Sequence, residues 1–351
     1  EEMSEPVGID AREGWFSLKG KEYDVVISSR ARISRNLEGF PFPGTMGEAE
    51  ELAVTSEIFS AFKELERDYS LFILEDLSPV QRRILLERNL ISQDYSLKTG
   101  RLTAVRKDQL VAMTTNEVDH LRIASFKGGL DLAGGYEDLR SLDLSLEEHL
   151  SFAASLDLGY LTTEIANIGT GLRLSIMVHL PALVRTGLIE KALKLIVQLG
   201  FTAKGFFGGD GDSLGDLYQV SNQVGIGASE EEFLEKLESI ALQLIHYERK
   251  AREELLAKGK AELEDTVFRA YGILTNCRIL SMREAITELS SLRLGAALGL
   301  LAIPIEKITS LLVLTQKAHI QQMLGSGDES ADARLIDFTR AAMIREGIGR
   351  T

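Results

Sequence analysis

The sequence has one cysteine, one tryptophan and six prolines in 351 residues. A single thiol, Cys277, cannot close an internal disulfide, and no Cys/His spacing suggests a structural zinc site. Long apolar runs are missing too. The longest candidate, near Leu294 to Ile303, is rich in glycine, ends at Pro304 and is too short to cross a bilayer, so a membrane protein is not expected. The opening Glu-Glu-Met lacks the basic and apolar stretches of a secretory signal and suggests an incomplete or engineered end, so a cytoplasmic address is expected. Basic excess is the last absence. With 39 Lys and Arg against 53 Asp and Glu the net charge is −14, which argues against nucleic-acid binding by the whole surface but leaves room for local arginine clusters that hold phosphates.

Hydrophobic periodicity alternates between helix and strand. Tyr23 to Ser29 reads as a buried strand that ends in the cluster Arg30, Arg32 and Arg35, and Gly44 to Tyr69 reads as helical. Ser78, Pro79 and Gln81 form a capping-box start for a helix to about Leu90. Arg101 to Phe126 reads as a meander of short antiparallel strands, followed by a helix from about Ser141 to Ser155, the segment NIGTGLR and the strand LSIMVHL. Pro181 opens an apolar helix to Leu199, Phe201 to Phe207 returns to strand, and Ser229 with Glu232 caps a helix reaching about Lys258. Beyond that point only helices are predicted, over Ala261 to Asn276, Ser281 to Leu294 and Pro304 to Leu324. The expected fold is therefore α+β, with one domain over residues 1–257 and an all-α one over 258–351, of ordinary domain size.

Phosphate-binding signatures of the common kinds are absent. There is no Walker A pattern and no GxGxxG, so any nucleotide must be held otherwise, and arginine forks can do it. Taken singly, Arg30, Arg32, Arg122 and Arg173 each read as ordinary salt-bridging residues, and His120 and His179 as structural histidines. The loop KGFFGGDGDSLGD opens like a calcium loop at Asp210, Asp212 and Gly215 but fails at Leu214 and Ser221, so no metal site is assigned to it.

Together, four segments closely resemble the ATP:guanido phosphotransferases, and within them the bacterial protein-arginine kinases. SSRARISRN resembles that family's SSRxRxxRN motif, and NEVDHLRI its NEEDHxRI strand. GYLTTEIANIGTGLRLSIMVHLPAL is similar to GYLTxCPTNxGTGLRxSVxxHLPAL, and KGFFGGDGDSLGDLYQVSNQ to the family's glycine-rich loop and following strand. Only 27 residues precede Ser28. The small leading domain of the phosphagen kinases is thus not expected, and the helical C-terminal part matches the protein-arginine kinase layout.

This resemblance implies a phosphagen-kinase-like domain, an antiparallel sheet flanked by helices, that uses ATP and Mg2+, followed by a helical domain for dimerisation and phosphoarginine binding. It assigns phosphate binding to Ser28, Arg30, Arg32, Arg122, Arg173 and Ser175, with Lys204 in place of a further arginine and Asn89 where an adenine-contacting histidine usually stands. IDFTRAAMIRE is similar to the family's phosphoarginine pocket, keeping Asp337 and Arg340 but placing Ile336 where an arginine is usual. At the reacting end the family's two carboxylates and thiolate correspond here to Val118, Gly209 and Glu164, so Glu164, Glu117 and Asp210 are the candidate replacements. Glu117, next to Val118 on a strand, is expected to face away unless a bulge intervenes. The reading is a homologue that binds ATP, transfers phosphate poorly or not at all, and serves as regulator, scaffold or phosphoarginine reader around chaperone and protease machinery. The alternative is an active kinase of protein arginine with Glu164 as the replacement carboxylate.

Overall fold

The computed structural model describes residues 14–62, 68–97, 101–207, 213–325 and 332–349. Its first part runs β1 (Val26–Arg35), α1 (Glu48–Phe62), β2 (Tyr69–Ile73), α2 (Pro79–Glu87), β3 (Leu102–Arg106), β4 (Val111–Thr115), β5 (Leu121–Gly128) and α3 (Leu132–Glu147). A small hairpin, β6 (Ala154–Ser155) and β7 (Gly159–Tyr160), precedes β8 (Leu172–His179), α4 (Pro181–Arg185), α5 (Ile189–Gln198), β9 (Phe201–Gly205), β10 (Leu217–Asn222) and α6 (Glu230–Lys258). Among the described residues only helices follow: α7 (Lys260–Asn276), α8 (Met282–Ala297), α9 (Ile305–Leu314), α10 (Lys317–Met323) and α11 (Ala333–Gly349). Eight strands form one antiparallel sheet in the order β2-β3-β4-β5-β1-β8-β10-β9. The expected α+β class holds.

Several boundaries differ from the periodicity, each for a local reason. The strand predicted over Tyr23 to Ser29 runs instead from Val26 through Arg35, so Arg30, Arg32 and Arg35 lie inside it. Ladder bonds to two neighbours hold this arginine-bearing segment extended. The predicted helix over Gly44 to Tyr69 is shorter, because Tyr69 already pairs with Arg106 in the sheet, and Leu52 points to solvent. Helix α3 begins nine residues before the expected Ser141, since Asp131 caps it by accepting a hydrogen bond from the Gly134 amide at 3.0 Å. Between Pro181 and Leu199 there are two helices, broken at Gly187, whose positive φ no helix interior accepts. Another break splits the predicted helix over Pro304 to Leu324 into α9 and α10. Both predicted capping boxes, at Ser78 and Ser229, are present.

Alternation along the central strands divides the sheet into two unlike faces. On one, Ala31, Ile33, Ile123, Leu172, Leu174, Ile176 and Val220 form a core with residues of α1, α3, α5 and α6. The other face is apolar only towards one end, where Phe126, Met177 and Leu217 pack with Trp15, Phe16 and residues of α2, α8 and α9. The C-terminal helices thus share a core with the sheet. Polar ties reinforce the join: the buried Arg293 of α8 donates to the carbonyls of Tyr23 and Asp24, to Thr309 Oγ1 and to His179 Nδ1. With Nδ1 accepting, His179 Nε2 carries the proton and faces Ser290 Oγ at 2.9 Å. Burial, then the cations Arg293, Arg252 and Arg185, push the His179 pKa well below the ordinary value.

Two outcomes follow for stability. Arg293→Ala orphans two carbonyls and an imidazole nitrogen, and it is expected to cost on the order of 3 kcal/mol in urea unfolding; a loss within 0.5 kcal/mol, roughly that of a neutral surface change, contradicts the assignment. Because the unfolded chain takes up a proton at His179 near pH 6.5 and the folded one only lower, its contribution is complete above about pH 6.5. Stability should fall as the pH drops below that value, and a His179→Asn variant should show a smaller fall.

Candidate functional site

The pairing register brings the predicted arginines together. Arg30 and Arg32 project from the same face of β1; Arg173 on β8 lies directly opposite Arg32, and Ser175 opposite Arg30. On the other flank Arg122 of β5 pairs with Ser34, two residues from Arg32, and so shares that face. Ser28 opposes Met177, which opposes Gln219, which opposes the exposed Lys204 on β9. One side of the sheet therefore carries an arginine-floored trough.

Its charges do not balance. Among the described residues Arg30, Arg32 and Arg173 have no ion-pair partner, and Arg32 Nε is a buried donor with no acceptor. Burial, together with Arg122 and Arg173, pulls the Arg30 pKa down to about 10; burial with Arg122, Arg30 and Arg173 pulls Arg32 well below its usual range. Because a guanidinium keeps its proton in proteins, this gathering carries an electrostatic cost that an anion in the trough would relieve.

NEVDHLRI forms the turn at the rim of this trough, residue by residue. Asn116 takes a positive φ and donates to the Glu51 carbonyl and to Thr55 Oγ1, fixing the turn to α1. Glu117 follows in that turn rather than in a strand, so face alternation does not apply, and its carboxylate pairs with Arg122 inside the trough. Burial raises its pKa, but Arg122, a hydrogen bond from Ser92 and the nearby Arg32 outweigh this and hold it below the ordinary carboxylate range. This corrects the expectation that Glu117 faces away. Val118 is partly exposed. Asp119 Oδ1 accepts from Asn36 Nδ2 at 2.9 Å and from the Thr163 amide at 2.7 Å, so it carries the loop that presents Glu164. His120 is structural, as expected: Nδ1 accepts from the Leu37 amide and Nε2 donates to the Pro41 carbonyl, both at 2.9 Å.

Other predicted residues are distributed unevenly. Glu164 is exposed and accepts a 3.2 Å hydrogen bond from Asn167 Nδ2. Gly209 and Asp210 lie outside the described residues. Asn89 lines a small cleft beside Arg30, together with Ser28, Ser175, Trp15, Phe126 and Phe206. The aromatic walls of that cleft were not read from the sequence, although its single tryptophan was a signal. Asp337 and Arg340 adjoin on α11, but Arg340 is buried and its donors go to the carbonyls of Thr315 and Leu280 and to Asp337. Ile336 is buried as well.

Family models match the chain from α1 onward, leaving β1 outside the matched residues. One, for the C-terminal catalytic domain of ATP:guanido phosphotransferases, covers residues 52–251, and one for the C-terminal domain of the protein-arginine kinase McsB covers 260–351. The chain belongs to the ATP:guanido phosphotransferase family. A protein-arginine kinase from Caldanaerobacter subterraneus subsp. tengcongensis is 40% identical over 86% of this chain and 91% of its own length, and one from Bacillus subtilis is 36% identical over 96% and 93%. Two solved structures share the fold: lombricine kinase has a TM-score of 0.59 at 24% identity over 69% of this chain and 70% of its own. The duplicated taurocyamine kinase from Schistosoma mansoni has 0.61 at 23% identity over 78% and 40%. The ATP:guanido phosphotransferase sheet is thus the scaffold of the trough.

Uncompensated cations in a folded protein cost stability that ligand binding recovers. Arg32→Met is therefore expected to stabilise the free protein by about 1 kcal/mol while weakening inorganic tripolyphosphate at least about tenfold. Thermal unfolding and calorimetry read the two effects. A lower melting temperature together with undiminished affinity would contradict the trough's role as an anion site.

Proposed function

We propose that the trough binds the phosphates of ATP and that the protein is a protein-arginine kinase homologue whose phosphoryl transfer is weak or lost, leaving a nucleotide-binding regulator or scaffold. The observation that carries this reading is the charge imbalance among the described residues: three arginines without carboxylate partners there converge on one face, while Glu117 is taken up by Arg122. Guanidinium forks match phosphate oxygens in pairs. In the reading, Arg30, Arg32, Arg122 and Arg173 grip the triphosphate, Ser28 and Ser175 supply short hydroxyl donors, and Lys204 adds a charge without a fork. The base enters the neighbouring cleft at Asn89. No group of three or more His, Cys, Asp or Glu side chains able to hold a metal occurs among the described residues, so Mg2+ would enter on the triphosphate rather than in a protein cage.

The reacting end motivates the second half of the proposal. Transfer to a protein arginine forms a bond from a guanidinium nitrogen to the γ-phosphorus, breaks the β,γ-bridging P–O bond and releases a proton, which a carboxylate must accept. Val118 offers none. Glu117 is ionised but engaged, and losing a general base typically costs roughly 10²- to 10⁴-fold. A second reading draws on Glu164, which is exposed on a loop fixed by Asp119 and would exchange its 3.2 Å bond from Asn167 for one from an incoming guanidinium. In that case the protein is an active kinase. For phosphoarginine reading, Asp337 is the member of its pair still one-third exposed to a ligand. A homodimer would draw on the exposed apolar Phe268 and Tyr271 of α7 and Leu335 and Phe338 of α11.

Incubation with Mg-ATP and an arginine-rich protein, followed by mass spectrometry for phosphoarginine with calorimetry in parallel, decides between them. ATP binding without product is the expected result. Phosphoarginine that disappears in a Glu164→Ala variant would establish the active kinase instead, and no ATP binding would remove both.

A further inference from the structure

Asn89 owes its place to groups outside the trough. It follows the last turn of α2 in a left-handed conformation, φ 62°, with its amide bonded to the Leu86 carbonyl and the Leu90 amide to that of Leu85. The preceding residue, Arg88, is almost wholly buried. Its carbonyl accepts from Trp15 Nε1 at 2.9 Å, and Trp15 and Asn89 both line the cleft beside Arg30. Its guanidinium lies 5.5 Å from the Phe16 ring, bonds Gln109 and donates from Nε to His319 Nε2 at 3.1 Å.

His319 belongs to α10, 231 positions beyond Arg88 in the chain. Since its Nε2 accepts from Arg88, its Nδ1 carries the proton and donates to Glu87 Oε2 at 2.9 Å. The other Glu87 oxygen accepts from the Ala318 amide in the first turn of α10 at 3.1 Å. One imidazole is thus clamped between the last residue of α2 and the residue after it, immediately before Asn89. Val80 and Ile84 of α2 pack on Ala318 next to this clamp, so α10 and α2 meet as one unit.

We propose that His319 is a positioning residue for the base end of the nucleotide site: by fixing Arg88 it sets the direction of Asn89 and the seat of Trp15, and so tunes base recognition without touching the ligand. The inference rests on the nucleotide reading of the trough. Phosphate binding lies on β1, β5 and β8 and does not pass through α2, so the two parts of a nucleotide should respond differently to a change at His319.

The test uses the full chain and two probes, Mg-ATP and Mg-tripolyphosphate, measured by calorimetry. His319→Ala should weaken Mg-ATP about tenfold, the scale of one lost directional contact, and leave Mg-tripolyphosphate within about twofold. His319→Gln, which returns an acceptor to Arg88, should restore Mg-ATP, and Asn89→Ala/His319→Ala should lose less than the sum of the two single losses. Should His319→Ala not fold, Glu87→Ala, which frees the imidazole from its other side, is expected to show the same split. Equal loss of both probes, or unchanged Mg-ATP affinity, overturns the proposal. Failure of the nucleotide reading looks different: tripolyphosphate then does not bind the unaltered protein at all.

Discussion

Strand β1 sets the constraint on which the rest depends. Its side chains alternate between Ala31 and Ile33 on the core side and Arg30 and Arg32 on the open side, and its antiparallel pairing with β5 and β8 repeats that division across the sheet. A slip of one residue would drive guanidiniums into the aliphatic layer and expose isoleucine. Ladder spacing also keeps the like charges several ångströms apart, close enough to act jointly on an anion. Bonds at its margins secure the register. Gly171, with a positive φ, lies against Arg35, whose Nη2 reaches Asp143 at 2.6 Å while the Tyr160 ring stacks 3.5 Å away.

The two ends of the trough obey different physics. At the arginine end, cations are held in place by backbone pairing, so positive charge is gathered on one face before any anion arrives. At the rim, Glu117 neutralises one of them and is itself kept ionised by it. A carboxylate in such a pair serves order better than proton transfer, because its proton affinity has been lowered. Asp119, by contrast, is a scaffold: it joins the end of β1 to the loop bearing Glu164 through two hydrogen bonds.

Much of this was legible in the sequence. Capping boxes at Ser78 and Ser229, the meander ending at Phe126 and the α+β class followed from local chemistry and periodicity, which the structure keeps. The gathering of Arg30, Arg32, Arg122 and Arg173 came from resemblance, since residues as far as 143 positions apart meet only through register. The orientation of Glu117 was misread because strand alternation was applied to a residue in a turn, where the left-handed Asn116 resets the direction of the chain. Helix α3 was begun late because Gly134 and Gly135 masked a start that Asp131 caps. Arg88 and His319 left no local trace, as two polar residues on separate helices announce nothing until tertiary packing joins them.

The shared core has a consequence for how the chain is made. Phe126, Met177 and Leu217 on the sheet's open face are covered by side chains from α8 and α9, whose residues are synthesised after the whole sheet. On the ribosome the sheet would therefore wait, with its arginine face half finished and an apolar patch uncovered, until the helices emerge and dock. Such an interval is when nascent chains associate wrongly or recruit chaperones, and the tie from Arg293 to the carbonyls of Tyr23 and Asp24 is a late closure that ends it.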